Sequence, residues 1–456
     1  MKFFITAPIA LAALASAFVL PADFKPKSDA AIYDEAPLLT TSTAAEHIVP
    51  DSYIIVFKKH VDEASAATHH SWVRSVHDVA MKKRGVENPF LAAGLEHGLK
   101  HVYSLTDAFK GYSGRFEAST IEQIRRHPDV LYVERDSMVF ASEATIEKNA
   151  PWGLARVSHR PALNFGTFNQ YVYDAEGGEG VTAYVIDTGI NVDHVDFEGR
   201  ALWGKTIPTG DADADGNGHG THCSGTVAGS KYGIAKKATV VAVKVLRSNG
   251  SGTMSDVIKG VEFAAESHAA EAKAGKKGWK GSVANMSLGG GKSPALDMAV
   301  NAAVDMGIHF AVAAGNDNAD ACSYSPAAAD KAVTVGASTL GDERAYFSNF
   351  GKCVDIFAPG LNIQSTWIGS PYALNTISGT SMASPHICGL LAYFVSLQPG
   401  SDSDYASSEL TPAKLKANLI AYSTPDVLSK IPEDGTPNLL VYNGAGGSLA
   451  EFWGSK

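Results

Sequence analysis

The chain has 456 residues, 45% hydrophobic and 19% charged, with 44 glycines and a net charge of −10. That length predicts two or three domains, and the composition suits a compact, turn-rich enzyme rather than a disordered chain. The acidic balance, with no basic cluster interleaved with aromatics, excludes a nucleic-acid partner.

In chain order, one lysine precedes an apolar run that reaches Ala15-Ser16-Ala17. Residues 1–17 are therefore read as a secretory signal, cut near Ala17. No second long uncharged run follows, so no membrane contact is expected after its removal. Residues 18–46 carry little pattern and are expected to form a flexible leader.

Residues 52–58 ("SYIIVFK") predict a strand by their β-branched and aromatic content. Trp72, Val76 and Val79 at helical spacing predict a helix over 64–84. One or two strands are expected over 101–116. A helix opens on a Ser119–Glu122 capping box and stops at Pro128, and a last strand covers 130–136. This order describes a small α+β, ferredoxin-like unit at 47–140. Eight of the 15 histidines lie between 47 and 127, a density that reads as solvated surface, or alternatively as an acid-sensing device. Residues 141–149 read as a polar, cleavable linker.

From residue 150 apolar strands alternate with helical patterns. Strands are predicted at 181–187, 238–246, 282–288, 308–316, 332–338 and 354–360. Helices are predicted near 219–229, 253–274, 293–306, 381–398 and 411–422. The fold class is α/β, a parallel sheet covered by helices on both faces. Functional residues then gather outside the C-terminal strand ends.

Several polar residues stand at such ends. Asp187 closes "AYVID" and is a turn former or a carboxylate in need of partners. His219 opens a glycine-rich helix start and reads as a general base; with His222 it could also seed a metal site, but no third ligand is near in sequence. The preceding "DADADGNG" lacks the glutamate of a calcium loop and reads as a solvated turn. Asn316 ends "AAGN" as an Asx turn or an oxyanion donor. "SNGSGT" and "NMSLGG" offer bare backbone to an extended peptide. Ser381, in "SGTSMASPH", is a helix cap or a nucleophile. Acyl transfer needs a nucleophile, a base, a group fixing that base and oxyanion donors. The chain supplies each, in the order Asp, His, Ser. A lipase of the G-x-S-x-G type is disfavoured because Ala383 replaces the last glycine and the partners precede the serine. A non-catalytic peptide binder is the alternative of another class.

Four cysteines allow three full pairings. Cys322 and Cys353 sit in loop-like sequence and Cys223 and Cys388 in small-residue helical sequence, so one bridge, Cys322–Cys353, and two free thiols are expected. Asn249 begins a surface glycosylation sequon, whereas the sequon at Asn285 lies in a buried strand.

The blocks "AYVIDTGI", "GHGTHCSGTVAG", "VANMSLGG", "VAAGN" and "GTSMASPH" resemble the signatures of subtilisin-like serine proteases. "APWGLARVSHR" and the cysteine after "GTH" are similar to the proteinase K-like branch, and "YFSNFGKCVDIFAPGLNI" to fungal cerevisin, a vacuolar protease. The resemblance implies a subtilisin-like catalytic domain at 150–445, followed by a tail at 446–456. It makes 47–140 an inhibitory, fold-assisting propeptide, the chain's own intramolecular partner. It implies Asp187, His219 and Ser381 as catalytic triad, and Asn316 with the Ser381 N–H as oxyanion hole. Gly250, Ser251, Gly252, Ser287, Leu288 and Gly289 would flank the peptide and protein substrates. Ala314, Gly315 and Tyr324 would form the pocket before the scissile bond, whose glycine, alanine and tyrosine wall implies apolar or aromatic preference. Cys223 would lie free beneath the site, and the same bridge, Cys322–Cys353, is implied. No cofactor is required for the chemistry. A structural calcium is implied at Asp355, near Asp330 and Ala332, although the proline usual at 330 is missing. A monomer is expected, in the vacuole lumen or, as the alternative, the extracellular medium.

Overall fold

The structure, a computed structural model, describes residues 35–40, 48–83, 98–105, 109–137, 144–398 and 410–445, with 449, 452 and 453. The predicted signal and most of the leader and tail lie outside the described residues. Among those residues no helix is long and apolar enough to cross a membrane.

Seven parallel strands make the large sheet, in the spatial order Ile356–Pro359, Val333–Ser338, His309–Ala313, Gly281–Met286, Val181–Asp187, Thr239–Lys244, Ala201–Thr206. Leu439–Leu440 adds a parallel edge strand, and Thr424–Pro425 pairs antiparallel to it. Every residue of Val181–Asp187 is buried, which is why its apolar run does not alternate. One face is covered by His219–Ala228 and Thr380–Ser396, through Cys223, Val227, Ile387 and Leu391. The other is covered by Met254–Ala274 and Pro294–Asp305, through Val257, Val261, Leu296 and Val300. Thr253 and Ser293 cap these last two helices by accepting from Asp256 N–H and Leu296 N–H. The predicted α/β architecture is thus the observed one. The strand Ala201–Thr206 and the antiparallel pair Ile363–Thr366/Leu374–Ile377 were not predicted, because they are short and half polar.

The small unit has a second sheet, ordered Leu38–Thr40, Val130–Ser137, Ile48–Phe57, Phe109–Arg115, Gly98–Leu105. The last four strands, with helices Glu63–Lys83 and Ala118–Arg125, follow the ferredoxin-like order. Four expectations need correcting. The leader is not featureless: Leu38–Thr40 pairs in parallel with Val133–Arg135, and Glu35 meets Arg126 Nε at 2.6 Å. The Ser119–Glu122 box does not form: the helix starts at Ala118 after Glu117, so Ser119 already lies inside the first turn. The histidines are not all solvated surface: His69 is 1% exposed. The linker is not wholly loose: Thr145–Lys148 pairs with Gln170–Tyr173, and Glu147 meets Lys231 Nζ at 2.7 Å and Lys236 Nζ at 2.8 Å.

The residues to which the resemblance assigns a calcium already face a cationic side chain. Lys416, on the helix Pro412–Ala421, places its ammonium 2.8 Å from Asp355 Oδ2. The same nitrogen donates to the carbonyls of Asp330 at 2.9 Å and Ala332 at 2.6 Å. These are the three residues assigned to the cation. A lysine already balances the carboxylate there, and a divalent ion would have to displace it. Burial raises the Asp355 pKa, and Lys416 opposes that rise. Replacing Lys416 by Met leaves a largely buried carboxylate unpaired, and we expect a loss of roughly 1–3 kcal/mol in urea unfolding of an inactivated chain. Unchanged stability would contradict this role for the lysine.

Candidate active site

Asp187 ends its strand completely buried. Its carboxylate accepts from Thr188 N–H at 2.7 Å and stands 2.8 and 3.0 Å from His219 Nδ1 through its two oxygens. His219 is the first residue of its helix and remains 25% exposed at the side chain. Gly220 permits this meeting: a Cβ there would lie 2.2 Å from the Gly189 carbonyl. Burial pulls the His219 pKa down, but Asp187 and, more weakly, Asp215 outweigh it, and the net shift is upward.

Ser381 is the second residue of Thr380–Ser396, whose cap, Gly379, makes no side-chain bond. The serine is therefore not the cap. Its hydroxyl donates to the Ser287 carbonyl at 3.1 Å rather than to the imidazole. Its own carbonyl is held against the His219 helix, receiving Cys223 Sγ–H at 3.4 Å and Ser287 Oγ–H at 2.7 Å. Pro385 explains why that carbonyl is available: proline has no N–H to donate to the residue four earlier.

Asn316 Oδ1 accepts from Thr380 N–H at 2.8 Å and Thr380 Oγ1 at 3.0 Å. A backbone N–H can only donate, so this bond fixes the amide's orientation and leaves Nδ2 as a donor beside Gly379, whose added Cβ would lie 3.7 Å away. Gly315, at φ +105°, lies against Asn349 Nδ2, and its N–H donates to Thr380 Oγ1. Ala314 is buried, and Tyr324 packs on the cluster that contains it. Cys322–Cys353 is bonded, and Cys223 and Cys388 are free and buried, as expected. Gly250, Ser251 and Gly252 are exposed, as is Gly289; Leu288 is half-buried and Ser287 buried. Asn249 is exposed and Asn285 fully buried. His222 Nε2 bonds the Ile363 carbonyl at 2.9 Å, and burial lowers its pKa to about 4.

Sequence reasoning missed Asp215, assigned to a solvated turn. Its Oδ1 accepts from Thr188 Oγ1 and from the N–H groups of Asn217 and Gly218, and its Oδ2 from Thr221 N–H and Oγ1. One carboxylate thus ties the Asp187 turn to the His219 helix start. An Asp three residues ahead of a glycine helix cap is an Asx-turn signal that could have found it. Lys244 was also missed: fully buried, it donates to the Thr188 carbonyl at 2.8 Å.

The geometry has counterparts. The subtilase family matches residues 178–442, and peptidase inhibitor I9 matches residues 52–142. The subtilisin-like serine protease Pen c 2 of Penicillium citrinum is 66% identical over 423 residues, covering 91% of this chain and 92% of its own. Alkaline protease 2 of Aspergillus fumigatus is 66% identical over 427 residues, with 91% and 84% covered. A crystal structure of a cold adapted subtilisin-like serine proteinase superposes with a TM-score of 0.56 at 44% identity, covering 65% of this chain and 99% of that one. The chain belongs to the subtilase family: it is a subtilisin-like serine protease that carries an I9-type inhibitor propeptide ahead of its catalytic domain.

Proposed function

We propose that the chain is a broad-specificity endopeptidase of the proteinase K-like branch, made as a self-inhibited zymogen and acting by an acyl-enzyme mechanism. The observation that carries the reading is the buried Asp187 carboxylate 2.8 Å from His219 Nδ1. Asp187 fixes the tautomer that leaves Nε2 free as base and stabilises the imidazolium once formed. His219 takes the Ser381 proton after the hydroxyl swings from the Ser287 carbonyl, a rearrangement that substrate can drive, since such bonds tighten in the Michaelis complex. Ser381 attacks the scissile carbonyl. The Asn316 amide and the Ser381 N–H hold the oxyanion, and water then releases the acyl group.

Residues 250–252 and 287–289 receive the peptide as an added strand, and Ala314, Gly315 and Tyr324 favour an apolar or aromatic side chain before the cut. Delivery follows the secretory route. The cerevisin-like motifs favour the vacuole lumen, with the extracellular medium as the alternative.

Three outcomes test this reading. Casein digestion should vanish in Ser381→Ala and fall about 10²–10³-fold in kcat in Asn316→Ala; full turnover in Asn316→Ala would remove the amide from the oxyanion site, and digestion by Ser381→Ala would remove the nucleophile. A base with a raised pKa must shed its proton to work, so kcat/KM should climb with pH through a value above the ordinary 6.5; an acid limb below 6.5 contradicts the assignment. Because Thr145–Lys148 is paired into the large unit, self-cleavage is expected before Thr145 and after Ser137. N-terminal sequencing of the mature enzyme checks it, and a start beyond Lys148 refutes it.

A further inference from the structure

The small unit holds a group of side chains that neither proteolysis nor packing accounts for. His69 lies on the helix Glu63–Lys83, 1% exposed. Its Nε2 is 3.0 Å from the Tyr112 hydroxyl, and its Nδ1 is buried with no hydrogen-bond partner. A buried imidazole nitrogen without a partner is costly. His127 and Asp129 come from the turn between Ala118–Arg125 and Val130–Ser137. The His127 ring stands edge-on to His69 with centroids 4.3 Å apart. One ligand atom from each of His69, His127 and Asp129 lies within 4.8 Å of the other two. A fourth group is at hand: His60 Nε2 is 3.5 Å from Asp129 Oδ1, and its side chain is 65% exposed.

We propose that this is a divalent transition-metal site, with zinc as its natural occupant. Two or three imidazoles and one carboxylate form a donor set suited to zinc, and bonds of about 2.0–2.2 Å ask only that the half-buried His127 and Asp129 close slightly inward. Tyr112 bonds the far nitrogen of His69, the kind of outer contact that fixes a ligating ring. Phe57 and Trp72 wall the site, with ring centroids 4.9 and 5.2 Å from His69. Bound metal satisfies the stranded Nδ1 and ties the first helix to the turn that follows the second. It therefore stabilises the inhibitory unit rather than the catalytic one. The inference does not rest on the assignment of the triad.

The test uses the full chain carrying Ser381→Ala, which keeps the propeptide attached, freed of metal and titrated calorimetrically with zinc chloride. One zinc per chain is expected. Its affinity should fall at least about tenfold in His127→Ala and in Asp129→Asn, both at half-buried positions whose substitution spares the core. Zinc should also raise the melting temperature of the parent and not of His127→Ala. No binding, or binding that both substitutions leave intact, overturns the site; the latter places the ion elsewhere, including near Asp187, His219 and Cys223.

Discussion

A carboxylate with no exposed surface sits at the end of the strand Val181–Asp187, and the site is arranged around supplying it with partners. Burying such a group without partners costs several kcal/mol. Asp187 receives two N–H donors on its side chain, from Thr188 and His219. Its backbone carbonyl receives two more, from Val245 and Leu246. The buried ammonium of Lys244 then sits on the next carbonyl along, that of Thr188. The carboxylate that faces the imidazole is thus held where two adjacent parallel strands end. A base mounted this way needs no reorganisation when it becomes cationic.

Ser381, the proposed nucleophile, is mounted by a different device. Thr380–Ser396 is buried on nearly every face, so its start cannot drift. Pro385 withholds one helical bond, and the carbonyl so freed is taken by Ser287 and Cys223. Thr380, one residue before the serine, orients the Asn316 amide with both its N–H and its hydroxyl. The proposed nucleophile and the proposed oxyanion donor are therefore set by adjacent residues of a single helix turn. A shift of that turn would move both together and preserve their geometry.

Much of this was legible in sequence for one physical reason: a parallel strand buried on both faces reads as a continuous apolar run, and a polar residue at its end stands out. Asp187, Asn316 and the "NMSLGG" backbone were visible this way. The bridge Cys322–Cys353 was visible from its loop surroundings and from likeness. Asp215 was not, because an acid among alanines and glycines looks solvated until its five donors are seen. Lys416 was not, because its partners lie more than sixty residues away and no local pattern encodes them. The Ser119 box failed for the opposite reason: the local pattern was present, but the helix began two residues earlier. His69 was counted among surface histidines because helical spacing marks a face, and only the packed sheet decides which face is covered.

The division of burial across the site also argues for what it cuts. Asp187 and Thr380 are sealed in, Ser381 is half-buried, and Asn316 and residues 250–252 are open. Segments that accept a strand demand a partner with unpaired backbone groups, which a folded substrate offers only at edges that proteins shorten or shield. In the proposed binding mode affinity would come from main-chain hydrogen bonds, common to all peptides, and selectivity only from the proposed alanine, glycine and tyrosine pocket. Discrimination between apolar side chains in such a pocket amounts to about 1–3 kcal/mol. An enzyme working in the proposed mode would grade substrates by how far they are unfolded before it grades them by sequence. The same reasoning makes an attached inhibitor necessary, since a newly made chain is itself an unfolded substrate.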